Sequence, residues 1–258
     1  MENNSLLKIN NLKIGFGSAP VVDGLFMEIA PAQIVALVGG SGSGKTLTAL
    51  AILNLLPLGA QVKSGEIIFR GEDLLSLSQD RMRQVRGRDI AMIFQEPLSA
   101  FNPLFTVGNQ IAEVLLIHSR MQKRKLKSRV SELLSLAGVP EPERVAYSYP
   151  HQLSAGLRQR AMLAQVIALK PCLIIADEPT SNLDVTIQAQ IMELFRTLKN
   201  KFGLSILLIT HDLAMVGHIA ERVAILSGGK IVEAGPTQEI LHNPAHSFTR
   251  QLKETALL

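Results

Sequence analysis

The stretch Ile34–Thr46, IVALVGGSGSGKT, decides the fold of this chain. Its first five residues are a continuous apolar run, which is typical of a strand buried on both faces of a parallel sheet. The run ends in a glycine-rich loop, and good helix formers follow over Thr46–Leu56. The predicted order is therefore strand, loop and helix, the context in which a loop can present phosphate groups to the N-terminal end of a helix.

The loop has the spacing of a phosphate-binding loop, because Gly39 and Gly44 are separated by four residues and Lys45 and Thr46 follow directly. Small residues allow consecutive backbone N–H groups to approach the phosphates of a nucleotide, and Lys45 adds a positive charge at the same oxygens. The Thr46 hydroxyl can bind the Mg²⁺ that bridges those phosphates. The predicted nucleotide-binding residues are Gly39, Gly40, Ser41, Gly42, Ser43, Gly44, Lys45 and Thr46.

Further apolar runs predict the rest of an α/β core. Cys172–Ala176 and Ser205–Ile209 read as buried parallel strands, and a helical pattern follows each of them. Near the N-terminus, turn residues separate three short β-like runs, which predict an antiparallel β region: Leu6–Ile9, Leu12–Phe16 and Leu25–Ile29.

The segment after the second apolar run predicts a helix and then a hairpin. The helix covers Asp212–Ala220, and the two strands of the hairpin, Arg222–Leu226 and Lys230–Glu233, turn at Gly228-Gly229. Between residues 97 and 169 the pattern is that of amphipathic helices without a strand. We therefore predict a single domain over residues 1–258, with a β and α/β core at 1–96 and 170–235, an inserted helical subdomain at 97–169 and a C-terminal tail at 236–258.

Composition limits the class of protein. The chain has 258 residues, 47% hydrophobic and 19% charged, so it can bury a sizeable core. No apolar stretch reaches the ~18 residues that a membrane-spanning helix needs, and residues 1–11 lack the apolar core of a secretory signal. We therefore expect a cytoplasmic chain that acts at a membrane only through a partner.

Cysteine content and charge exclude little else. The lone Cys172 cannot form an internal disulfide and supplies no multi-cysteine metal site. The formal net charge of +4 is compatible with nucleic acid or anionic lipid as a partner but selects neither. The densest basic segment, residues 120–129, leads into an apolar-periodic helix, so we interpret it as a solvated helix face, with a lipid or nucleic-acid patch as the alternative.

Two adjacent carboxylates, Asp177 and Glu178, follow the predicted strand Cys172–Ala176. Ligands of α/β sheets collect at the carboxyl ends of such strands. Adjacent carboxylates can take different roles, so we predict that Asp177 holds Mg²⁺ or its water and that Glu178 is the general base for the attacking water.

Several short segments together resemble the motifs of ABC ATPases. Leu153–Leu157, LSAGL, resembles the LSGGQ signature, and Gln95 resembles the glutamine of the Q-loop. Ser181–Asp184, SNLD, resembles the D-loop, and His211 resembles the switch histidine. Phe16 stands in the place of the aromatic that stacks on adenine, although by itself it would be a core residue. The resemblance covers nearly the whole chain.

The resemblance implies ATP hydrolysis with Mg²⁺ in a head-to-tail dimer. Each ATP would lie between the phosphate loop of one subunit and the signature of the other, so that Ser154 and Gly156 contact the γ-phosphate from the opposite side. Gln95 would sense Mg²⁺ and relay occupancy to a membrane subunit. His211 would hold the γ-phosphate and the attacking water, and Asp184 would couple the two sites.

Three residues depart from the family pattern. Ala155 replaces the first glycine of the signature, Leu157 replaces its closing glutamine, and Asn182 replaces a small residue. A Cβ at Ala155 disfavours a positive φ at a place of close phosphate approach. We therefore expect the composite site built from Ala155 to be slower than one built from glycine.

Three functional classes of protein share this ATPase domain. A transport motor is favoured over a DNA-repair or chromosome-organising ATPase, since no sustained heptads separate the phosphate loop from the signature. A ribosome-bound factor would carry two cassettes, whereas this sequence holds one. No membrane helices are fused to the cassette, which favours an importer, and we expect no nucleic-acid partner.

A finer resemblance, to the oligopeptide, dipeptide and nickel uptake branch, rests on three segments. They are residues 94–108, FQEPLSAFNPLFTVG, residues 149–152, YPHQ, and Asn243–His246, NPAH. Peptide members commonly run on past the last segment, whereas this sequence stops at Leu258, so the tail resembles the nickel members more. We therefore expect nickel or another metal chelate as cargo, with peptide as the alternative.

This branch implies several partners. A second, different ATPase chain is expected, so that a heterodimer is favoured over a homodimer. Two transmembrane permease subunits and an extracytoplasmic substrate-binding protein would complete the importer. The chain would then lie peripherally on the cytoplasmic face of the cell membrane.

Overall fold

Two β-sheets and a group of helices make up the part of the chain that the computed structural model describes, residues 5–95, 100–119, 121–181 and 183–256. The strands are β1 (Leu7–Phe16), β2 (Ala19–Ile29), β3 (Ile34–Gly39), β4 (Ala60–Phe69), β5 (Glu72–Asp73), β6 (Ile90–Ile93), β7 (Leu173–Asp177), β8 (Ser205–Thr210), β9 (Arg222–Ser227) and β10 (Lys230–Pro236). The helices are α1 (Lys45–Ile52), α2 (Gln79–Val85), α3 (Val107–Ser119), α4 (Lys123–Leu136), α5 (Pro142–Tyr147), α6 (Ala155–Val166), α7 (Val185–Phe202), α8 (Leu213–Gly217), α9 (Thr237–His242) and α10 (Ser247–Ala256).

The larger sheet has the strand order β10-β9-β3-β8-β7-β6. Its strands run parallel from β9 to β6, and β10 pairs antiparallel with β9 at one edge. All six residues of β3 are buried, as are all five of β7 and all six of β8. The apolar runs that predicted these strands are therefore explained by burial on both faces.

The two faces of this sheet enter different cores, because successive side chains of a strand point to opposite sides. On β3, Ala36 and Val38 join a core that includes the helices α3 to α7. The neighbouring Val35 and Leu37 join a second core under the antiparallel sheet. The parallel sheet is thus the middle layer, and its strands end between the two outer layers.

The smaller sheet is antiparallel, with the order β2-β1-β4-β5. It confirms the antiparallel region predicted near the N-terminus, but the first two predicted runs form one strand, β1. Its third strand, β4, was not predicted from the sequence, because the polar residues KSGE in its middle, with Gly65 among them, interrupt the apolar alternation. The strand β6 was missed as well, because only four residues, IAMI, form it.

Helices occupy the described residues between 100 and 169, as predicted, and no strand is assigned there. They share a continuous core with the parallel sheet, since Val107 and Leu133 cluster with Ile174 and Leu208. The ranges given for the subdomains remain a prediction, and their boundary at Pro97 lies outside the described residues. Arg120, the first residue of the basic segment, lies outside them too.

Two predicted helices are shorter in the structure, whereas the hairpin is confirmed. The helix α1 ends at Ile52 rather than Leu56, because Asn54 has a left-handed φ of 50°. The helix α8 begins after Asp212, whose carboxylate caps it by accepting the Met215 N–H. At the hairpin, both turn glycines have the positive φ that its two-residue turn requires. No helix among the described residues has the length and apolar content to cross a membrane.

Candidate nucleotide site

The phosphate loop connects β3 to α1, and Lys45 folds back across it. The Lys45 ammonium donates hydrogen bonds to the carbonyl oxygens of Gly39 and Gly40, each at 2.9 Å. The side chain is buried, which lowers the pKa of Lys45, while the negative charges of Glu178 and Asp177 oppose this shift. A buried ammonium that two carbonyl oxygens already hold can bind phosphate oxygens in their place with little further loss of side-chain entropy.

Close packing explains the glycines at the two ends of the loop. A Cβ on Gly39 would lie 2.3 Å from the carbonyl oxygen of Leu226 on β9. Gly44 has a φ of 106°, and a Cβ there would lie 2.7 Å from Cγ2 of Val22 on β2. Between them, Ser41 and Gly42 are exposed. The loop is thus anchored at both ends by the two sheets and open to solvent in the middle.

Asp177 ends the buried strand β7 with a carboxylate that is 3% exposed. Burial raises its pKa; the hydrogen bond from the Thr46 side chain and the charge of Lys45 lower it, while Glu178 raises it further. Its Oδ1 is buried without a hydrogen-bond partner among the described residues. An orphaned carboxylate oxygen beside an exposed hydroxyl suits Mg²⁺, which takes oxygen ligands and keeps several waters. The residues therefore fit the predicted metal.

Glu178 begins the segment after β7 in a strained conformation. Its φ of 45° is uncommon for a residue with a side chain. Its N–H donates to the carbonyl of Ile209 on β8, at 2.9 Å. Its carboxylate lies between two predicted site residues, 3.2 Å from Nδ1 of His211 and 3.4 Å from Nε2 of Gln95. The strained turn thus aims the carboxylate at the residues expected to act with it.

Ser181 joins this group, although the sequence singled it out only as the first residue of the D-loop resemblance. Its hydroxyl donates to the carbonyl oxygen of Gln95, and its N–H donates to the carbonyl oxygen of Glu178, both at 3.1 Å. The backbone of Ser181 therefore follows the Glu178 turn while its side chain holds the Gln95 segment. No periodicity or composition signal could have revealed this contact, because it joins residues far apart in the chain.

The signature residues are built into helix ends. The Ser154 side chain caps α6 by accepting the Leu157 N–H at 3.3 Å. Gly156 faces α7, where a Cβ would lie 3.1 Å from Cγ2 of Ile187. Among the described residues, no hydrogen bond joins Ser154 or Gly156 to Lys45. The hydrogen bonds of the described residues therefore leave the signature unconnected to the phosphate loop of the same chain.

The physical reason given for Ala155 is wrong. We expected its Cβ to disfavour a positive φ, but Ala155 is the first residue of α6 and is not among the residues with positive φ. Alanine is the best helix former, so it fits this position without strain. Leu157 packs partly buried against the helical core. Asn182 lies outside the described residues.

Two other predicted residues have clear surroundings. Phe16, at the end of β1, is 43% exposed, so its interpretation as a core residue is wrong and its ring is free to contact a ligand. The Asp184 carboxylate caps α7 by accepting the Ile187 N–H at 2.9 Å. Asp184 therefore lies at the start of α7, six residues after Glu178.

Comparison with known proteins places the chain in a family. The model of the family described as "ABC transporter" matches residues 22–181, which is more than half of the chain. The chain is 46% identical over 252 residues to the peptidoglycan transport ATP-binding protein YejF of Agrobacterium fabrum, covering 96% of this chain and 46% of that protein. It is 45% identical over 249 residues to the oligopeptide transport ATP-binding protein OppD of Bacillus subtilis, covering 95% and 70%. The chain thus spans about half the length of the first of these relatives.

A solved structure has the same fold. It is the ATP-binding cassette MJ0796, captured as a dimer in a post-hydrolysis state bound to ADP and Pi. The TM-score is 0.79 at 26% identity, with 90% of this chain and 98% of that chain covered. With the phosphate loop, the two carboxylates and the histidine at one edge of the parallel sheet, these matches show that the chain belongs to the ABC transporter family, as an ATP-binding domain.

Proposed function

We propose that this chain is the ATP-hydrolysing, energy-coupling subunit of an importer that takes up peptides. One observation carries the proposal. Lys45, Asp177, Glu178 and His211 lie at or just after the carboxyl ends of the neighbouring strands β3, β7 and β8. This edge is where parallel sheets bind their ligands.

The phosphate loop binds the nucleotide in this proposal. The exposed backbone at Ser41 and Gly42 and the Lys45 ammonium meet the β- and γ-phosphates. The exposed ring of Phe16 stacks on the adenine. Thr46 and Asp177 would hold Mg²⁺ with the help of Gln95, and the ion would supply positive charge to neutralise the phosphate oxygens.

Glu178 acts as the general base on the attacking water. Its carboxylate accepts the proton of that water, while His211 and Gln95 fix its orientation from two sides. His211 is 67% exposed and can turn toward the γ-phosphate without being unpacked. The alignment of water and phosphate, rather than covalent chemistry by the protein, supplies most of the rate.

A second ATPase chain completes the site. Ser154 is exposed at the start of a twelve-residue helix and makes no contact with its own phosphate loop among the described hydrogen bonds. Its hydroxyl, Gly156 and the positive end of α6 then contact the γ-phosphate bound by the partner. Asp184 couples the two sites. We favour a partner of different sequence, as expected for this branch.

Peptide is the cargo that the relatives favour over nickel. The two curated relatives named above are a peptidoglycan and an oligopeptide transport protein. The motor does not touch the cargo, so relatedness is the argument available here. Two membrane permeases and an extracytoplasmic binding protein then complete the importer, and the chain lies on the cytoplasmic face of the membrane.

The test is cargo uptake in cells whose gene for this chain is deleted and replaced by variants. The wild-type gene should restore uptake of a radiolabelled oligopeptide, and Glu178→Gln should abolish it, because a general base contributes about 10²- to 10⁴-fold to the rate. The matched control is Glu66→Gln, which changes an exposed glutamate on β4 of the antiparallel sheet and should leave uptake intact.

Three outcomes contradict parts of the proposal. Restoration of ⁶³Ni²⁺ uptake but not of peptide uptake would replace peptide by nickel as the cargo. Unchanged uptake in Glu178→Gln would remove Glu178 as the base. Impaired DNA repair or translation with intact uptake of both cargoes would assign the chain to the non-transport ATPases.

A further inference from the structure

The segment Asn243–His246 and the helix α10 after it have no role in the chemistry described so far. Glu233 on β10 anchors this segment. Its carboxylate accepts the N–H of Ala245 at 2.8 Å and the N–H of His246 at 3.1 Å. Burial alone would raise the pKa of Glu233, but the neighbouring Thr249 hydroxyl and the hydrogen bonds from these two N–H groups lower it. A charged carboxylate that accepts several N–H bonds is a firm attachment.

Local hydrogen bonds then set the start of α10. The N–H of Phe248 donates to Nδ1 of His246 at 3.2 Å, and the Arg250 guanidinium donates to the carbonyl oxygen of Ala245 at 2.8 Å. The turn and the first turn of the helix are therefore one tied unit. Glu233 holds that unit on the β9–β10 hairpin.

The inner side of α10 packs toward the catalytic edge of the parallel sheet. Phe248 and Leu252 pack against the core that contains Leu213 and Val216 of α8. The helix α8 begins two residues after His211, with Asp212 as its cap. The position of α10 is thus coupled by side-chain packing to the helix that follows the switch histidine.

The ring of Phe248 also lies close to the phosphate loop. A Cβ built on Gly40 would come within 4.0 Å of Cζ of Phe248, so the ring edge stands beside the Gly40 backbone. The carbonyl oxygen of this same Gly40 accepts one of the two hydrogen bonds of the Lys45 ammonium. The ring therefore borders the part of the loop backbone that positions Lys45.

We propose that α10 braces the phosphate loop and that Phe248 is a positioning residue for the bound nucleotide. The ring limits the movement of Gly40, and through Gly40 it holds Lys45 in place for the phosphates. Loss of the ring allows the loop to adopt more conformations. Nucleotide binding must then order the loop, and this loss of conformational entropy weakens the affinity. The proposal rests on the proposed binding of ATP, but not on the cargo or on transport.

The test is the binding of Mg-ATP to the whole chain, measured by calorimetry. Phe248→Ala should weaken binding by about ten-fold, the scale on which supporting residues act. Phe248→Leu keeps part of the apolar bulk and should lose less affinity than Phe248→Ala. Glu233→Gln keeps the ring but weakens its anchor, and should lose affinity in the same direction by a smaller factor.

Steady-state ATP hydrolysis separates positioning from loss of folding. A partly unfolded variant has fewer active molecules, which lowers kcat and leaves KM unchanged. A mispositioned loop instead raises KM for ATP with kcat largely kept. The matched control is Phe26→Ala, because Phe26 is 60% exposed on β2, away from the loop.

Unchanged Mg-ATP affinity in Phe248→Ala would overturn the brace, as would an equal loss in Phe26→Ala. If wild type binds Mg-ATP and Phe248→Ala weakens it, while deletion of the gene leaves peptide uptake intact, the brace stands and the proposed transport function falls. If wild type binds no Mg-ATP, both fall together.

Discussion

The phosphate edge of the parallel sheet and the signature end of α6 are built in opposite ways. At the sheet edge, Lys45 is 6% exposed and Asp177 is 3% exposed, and buried strands hold both. At the signature, Ser154 is exposed and its hydrogen bond serves its own helix. The sheet edge is a preorganised half-site. The signature is a helix end whose described hydrogen bonds connect it only to its own helix.

The difference indicates which bound nucleotide each region should affect. Residues of the sheet edge contact one another, so a change there should affect the nucleotide bound by the same chain. Residues of the signature do not join that cluster among the described contacts, so a change there should leave binding by the same chain intact. Ile187, which faces Gly156, lies one helical turn after Asp184, so the signature packs closely against the D-loop helix.

The largest effect is expected from Asp177→Asn. It removes the proposed metal ligand and should reduce ATP hydrolysis about 1,000-fold, near the upper end for one electrostatic group. Without nucleotide it should increase the free energy of unfolding at neutral pH by about 1 kcal/mol, because a buried carboxylate with an unpartnered oxygen is removed.

The pH dependence of that stabilisation follows from the raised pKa of Asp177. The folded chain holds this proton more tightly than the unfolded chain, so the stability that Asp177 contributes is present below about pH 4 and is lost as pH rises through the folded pKa. The gain in Asp177→Asn should therefore be absent near about pH 4 and present near about pH 7.5 in urea denaturation. A variant that is less stable than wild type at neutral pH would contradict this account.

A smaller effect on hydrolysis, about 100-fold, is expected from Ser154→Asp. Aspartate caps a helix as well as serine does, so α6 and its stability should be kept. Its negative charge would repel the γ-phosphate held by the partner chain. Mg-ATP binding to the isolated chain, measured by calorimetry, should equal that of wild type.

Weaker binding in Ser154→Asp would break the comparison, because it would place the signature in the same site as Lys45. Ser154→Ala is the complementary control. It lacks the added charge but also the cap, and should cost about 1 kcal/mol of stability.

The smallest effect is expected from Ala155→Gly. We still expect the composite site to become faster, but the remaining cause is the removal of a Cβ beside the partner's phosphate rather than relief of a strained φ. The change in ATP hydrolysis should stay within about three-fold, since glycine in a helix also costs up to about 1 kcal/mol. Unchanged ATP hydrolysis and uptake rates would remove Ala155 as a source of asymmetry between the two sites.

Prediction from the sequence succeeded where residues close in the chain make the feature. The loop Gly39–Thr46 was identified because its glycines, lysine and threonine are consecutive, and β7 and β8 were identified because burial on both faces leaves continuous apolar runs. The strand β4 was missed because its pairing partner β1, rather than its own pattern, holds it in place. The exposure of Phe16 could not be derived either, since an aromatic at a strand end is as compatible with a core as with a ligand.

The sequence by itself determined the order of strand, loop and helix and the family, and it predicted the roles of Lys45, Asp177 and Glu178. These features depend on residue types at fixed spacing, which the chain carries in its covalent order. Only the tertiary structure decided how the parts meet. The contact of Ser181 with Gln95, the helical conformation of Ala155 and the position of Phe248 against Gly40 result from packing between distant segments. Such contacts depend on how the two cores pack against the parallel sheet, and no local pattern records them.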